Sequence, residues 1–74
     1  MADNANRYRP AKGVYPPPDL QREIAALIGE VGARAASRDL GVHREQLISI
    51  AANVPVLEGT IALVSQRLRE RKAA

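Results

Sequence analysis

Gly41 stands between two short apolar series, and their spacing restricts how the chain can turn back on itself. Before it, Ala33, Ala36, Ser37 and Leu40 fall at i, i+3, i+4 and i+7, one face of a helix made almost wholly of small residues. After it, Leu47, Ile50, Ala51 and Val54 repeat that spacing and predict a helix from about Arg44 to Asn53, ended by the approach of Pro55. Glycine between them suits a helix end that needs positive φ, and the apolar Val42 that follows marks a reversal of the chain. His43 is then the expected cap of the second helix of the pair. Small residues on the first helix permit a close crossing.

Two further helices flank this pair. Leu20, Ile24, Leu27, Ile28 and Val31 share one helical face, with Asp19 as the expected N-cap and Gly32 as the stop. Gly29 within that run either ends the helix early or admits another backbone. Leu57, Ile61, Val64 and Leu68 define a last helix, beginning between Pro55 and Thr60 and ending in the basic stretch Arg67 to Ala74. No strand pattern and no internal repeat is visible. The expected fold is all-α: a small four-helix domain over 19–74, preceded by a basic arm over 1–18. Pro10, Gly13 and the run Pro16-Pro17-Pro18 mark that arm as extended and mostly disordered.

Composition narrows the chemistry. The 74 residues allow one core, and with 3% aromatics, both of them tyrosines before residue 16, that core is aliphatic. Without cysteine, and with His43 as the lone histidine, a metal centre is not expected, and neither is a cofactor or a small-molecule ligand. Nothing resembles a nucleophile elbow, a phosphate loop or a paired-carboxylate site, so no enzyme is expected. The start lacks a basic-then-apolar pattern and no apolar run is long enough to span a bilayer, which implies a cytoplasmic protein without a membrane role. Net charge is +3, but it is unevenly spread: +2 in residues 1–18, +3 in 67–72 and −2 between them. Affinity for a polyanion must therefore come from the ends and from locally placed arginines.

The stretch Ala35-Ala36-Ser37-Arg38-Asp39-Leu40-Gly41-Val42-His43-Arg44 resembles the second helix, turn and recognition-helix start of bacterial and phage helix-turn-helix DNA-binding proteins. The likeness covers about residues 20–68 and leaves open the Cro and phage-repressor branch or the Fis-type branch. Ser37 and His43 depart from the commonest residues at their positions, alanine and serine or threonine. The resemblance implies a third helix in the major groove, with Arg44, Glu45, Gln46, Ile48 and Ser49 facing base edges. Arg44 suits guanine, Gln46 adenine, Glu45 a cytosine amino group and Ile48 a thymine methyl. Backbone contacts are expected from Arg34, Arg38, His43, Asn53, Gly59 and Thr60. Each of these also has a plainer reading as a solvated helix end or a simple turn. Arg7, Arg9 and Lys12 suit either a minor-groove arm or a solubilising tail.

The resemblance further implies a homodimer on double-stranded DNA, acting as a transcriptional regulator or repressor by occupying an operator. Val56 and Leu63, seven residues apart and off the main stripe of the last helix, form either part of the dimer seam or additional core. The competing function is a helical protein-interaction module or assembly subunit that docks through its last helix and tails.

Overall fold

A computed structural model of the chain describes residues 13–73. Its four helices are α1 (Pro18–Val31), α2 (Ala33–Leu40), α3 (Arg44–Ala51) and α4 (Glu58–Ala73), an all-α fold. Helix α1 lies against both α2 and α3, these two pack on each other, and α4 closes over α2. Ile24, Leu40, Leu47, Ile50 and Val64 are fully buried at the centre, so each helix contributes at least one aliphatic side chain to a core without aromatics. Leu20, Leu27, Ala36, Val42 and Leu68 complete it, with Ile28, Ala51, Val56 and Ile61 packed at its edges.

The start of α1 differs from the expected cap. Pro18 takes the first helical position, where its missing N–H would have no partner in any case, and the extended Pro17 precedes it. The Pro17 carbonyl accepts the Gln21 N–H at 2.9 Å. Asp19 therefore sits inside the first turn, where it complements the helix dipole and pairs with Arg22. Gly29 has neither expected role: α1 runs through it, and nothing lies within 4 Å of the place its Cβ would occupy. The helix stops where expected, at Gly32, whose φ of 89° turns the chain out while its N–H bonds the Ile28 carbonyl.

Ala36, with no exposed surface, sits among the buried residues of α2, as a close helix crossing demands. Gly41 adopts the left-handed conformation, φ 64° and ψ 33°, and donates its N–H to the Ser37 carbonyl. Ser37 fastens the turn further, since its hydroxyl donates to the Val42 carbonyl at 2.7 Å. Alanine there could not make that bond, so this departure from the commonest residue strengthens the turn. The His43 Nδ1 accepts the Glu45 N–H at 3.2 Å and caps α3 as expected.

Three boundaries need correction. Helix α3 ends at Ala51 rather than Asn53, because Asn53 takes φ 59° and the Val54 N–H folds back to the Ser49 carbonyl. Val54 thus leaves the buried stripe and is half exposed. Leu57 precedes α4 rather than lying within it, and its carbonyl accepts from Thr60 and Ile61 while its side chain stays 49% exposed. Finally, the arm does not extend to residue 18. Val14 and Val56 form an antiparallel bridge with N–H···O bonds of 2.7 and 2.9 Å, and Pro16 is buried, so residues 13–17 strap the body rather than hang from it.

Candidate nucleic-acid interface

The fold sorts its charges. Three of the six carboxylates in the acidic middle, Asp19, Glu23 and Glu30, lie on α1, where Arg22 pairs with Asp19 and Lys72 of α4 reaches Glu23 at 2.6 Å. A longer contact, 3.9 Å, joins Arg71 of α4 to Asp39 at the end of α2. The basic end of α4 is thus partly spent on neutralising the body. Like Arg67 and Arg69 of α4, Arg34, Arg38 and Arg44 have no carboxylate partner among the described residues.

These three arginines converge. Arg34 and Arg38, one turn apart on α2, meet His43 and Arg44 across the turn and line a surface depression of about 260 Å³ together with Ser37. Among the described residues no acidic one lines it. The His43 ring is held by its cap bond to Glu45, so Nδ1 faces the helix and Nε2 is left for a second partner. A depression lined by three arginines and a histidine at the start of a helix suits an anion with several oxygens.

Helix α3 and the turn after it have one open side. Arg44, Glu45, Ile48, Ala52 and Asn53 are exposed, with Ile48 at 46%, whereas Leu47 and Ile50 on the opposite side are fully buried. Gln46 and Ser49 are half buried, because they border a second depression of about 260 Å³ whose other walls are Glu45, Val56, Leu57 and Thr60. Of the residues expected at base edges, Glu45, Gln46 and Ser49 thus line this second depression, Arg44 lines the first, and Ile48 is exposed on the same helix. Gly59 is exposed in the first turn of α4, with open space where a Cβ would be.

Two expected site residues are placed otherwise. Thr60 is largely withdrawn from solvent: it is 8% exposed at the wall of the depression, and its Oγ1 accepts a hydrogen bond from Gln46 Nε2 at 3.4 Å. Val56 bridges to Val14 and packs half buried at the edge of the core, while Leu63 is exposed at 37%. Arg7, Arg9 and Lys12 lie outside the described residues. Arg67, which the sequence shows only as the start of a basic stretch, reaches the turn: its Nη1 lies 3.3 Å from where a Cβ on Gly41 would stand. Its guanidinium covers the turn, a contact between distant positions for which no local pattern exists.

Among the described residues, no three metal-ligating side chains gather and no helix is long and apolar enough to cross a membrane. Comparison of the chain with protein-family models, curated proteins and solved structures found no match.

Proposed function

We propose that this chain is a sequence-specific double-stranded DNA-binding protein of the helix-turn-helix kind, a small transcriptional regulator that acts as a homodimer by occupying an operator. One observation carries the reading: Arg34, Arg38 and Arg44, without a carboxylate partner among the described residues, line one depression at the start of a helix with an open outer side. Phosphate oxygens from the duplex backbone fill the Arg34–Arg38–His43 depression and set the register. Helix α3 then enters the major groove with Arg44 leading, and Glu45, Gln46, Ile48 and Ser49 meet base edges. Asn53 and Gly59 remain as outlying backbone contacts. Leu63, on the open side of α4, is the seam residue left for the dimer.

Fluorescence anisotropy against duplexes of differing sequence tests this. Affinity falls steeply with salt while one sequence stays preferred. Arg38→Ala weakens every duplex alike and lowers the salt slope by about 0.9 for the lost phosphate contact. Arg44→Ala instead flattens preference at one base pair by about 1–3 kcal/mol. If both variants bind as the parent does, α3 does not read DNA, and the protein-interaction alternative takes its place.

A further inference from the structure

Thr60 is the one buried polar side chain among the described residues, and its only side-chain partner there is Gln46. A buried hydroxyl without a partner is costly, so the packing that sinks Thr60 beneath the start of α4 also fixes where the Gln46 amide must be. The two residues belong to different elements, α4 and α3, and meet across the depression that also holds Glu45, Ser49, Val56 and Leu57. Gln46 makes no other side-chain hydrogen bond among the described residues.

We infer that Thr60 is a positioning residue for base readout: it holds the Gln46 amide so that one edge of that group is set, before DNA arrives, to recognise adenine. The inference rests on the function proposed above. Its chemistry is specific. In the inferred pose Nε2 gives Thr60 Oγ1 the hydrogen trans to Oε1, which leaves the cis hydrogen and Oε1 as one donor and one acceptor side by side. Adenine presents the complement in the major groove, an N7 acceptor beside an N6 donor, whereas guanine presents two acceptors. An amide already oriented also loses less rotamer freedom on binding than a free glutamine.

Thr60→Val keeps the shape and removes the hydroxyl, and Thr60→Ser keeps the hydroxyl. On the preferred duplex and its single-base variants, Thr60→Val is expected to cut discrimination at one A·T pair by about threefold or more. That is part of the roughly 5- to 150-fold that a bidentate pair provides. Discrimination elsewhere and the salt slope stay unchanged, Thr60→Ser restores the parent pattern, and Thr60→Val adds nothing once Gln46 is alanine. A uniform loss over all duplexes, or undiminished discrimination in Thr60→Val, overturns the inference while leaving the proposed function standing. Nuclear magnetic resonance of the free protein gives a readout that needs no DNA. The Gln46 side-chain amide is expected to be ordered in the parent and in Thr60→Ser and mobile in Thr60→Val. An amide equally mobile in all three also overturns it. A parent that prefers no duplex while its Gln46 amide is ordered rejects the functional reading instead.

Discussion

Replacing Gly29 and Gly41 by alanine, one at a time, should move stability in opposite directions. Gly41 holds φ 64°, where an L residue costs roughly 1–2 kcal/mol. Alanine also stiffens the unfolded chain, which returns about 0.4–1 kcal/mol. The new Cβ would stand 3.3 Å from Arg67 Nη1, the far end of a flexible side chain that can retreat slightly. The net for Gly41→Ala is then a loss of about 1 kcal/mol. Gly29 lies in the last turn of α1 with open space where a Cβ would be, so Gly29→Ala should gain about 0.5–1 kcal/mol from helix propensity. In a domain of this size 1 kcal/mol moves Tm by about 4–8 °C, so the two variants should melt on either side of the parent and about 6–16 °C apart. Thermal melting by circular dichroism measures this directly. A Gly41→Ala variant as stable as Gly29→Ala would refute the left-handed turn on which the placement of α3 depends.

Other perturbations have equally definite outcomes. Leu47→Ala, at a fully buried position in α3, should cost about 2–5 kcal/mol, enough to leave so small a domain largely unfolded in a urea titration. His43→Ala removes the α3 cap and should cost about 1 kcal/mol, most of it recovered by His43→Ser, which can accept the same backbone N–H. Ser37→Ala deletes the bond to the Val42 carbonyl and should lower stability by about 1 kcal/mol in the same melts. By contrast Glu23→Gln, which weakens the exposed pair with Lys72, should stay within about 0.5 kcal/mol of the parent.

What the sequence displayed was what is local. The apolar spacings of all four helices, the reversal at Gly41 and the His43 cap depend on neighbours within a turn or two, and each is where the periodicity places it. The ends of α3 and α4 were less legible, because Val54 and Leu57 extend the apolar spacing although the backbone has already left the helix. Pairings across the chain left no trace at all. Val56 reads as a spare apolar residue until Val14 bonds to it, and Thr60 reads as an open hydroxyl at a helix start until packing buries it against Gln46. The convergence of Arg34, Arg38, His43 and Arg44 was half visible: helical spacing unites the first two, and only the turn brings in the others. Likewise the acidic middle looked unfavourable for a polyanion until the fold put half its carboxylates on α1 and paired Asp19 and Glu23 there.

Selection of bound duplexes from a random pool by the purified chain addresses the central claim most directly. A strong, two-fold symmetric consensus is predicted, and Arg44→Ala should lose preference at one position in each half while keeping the rest. Recovery of no enriched sequence, at a salt concentration where the protein is folded, would contradict the assignment of α3 to the major groove.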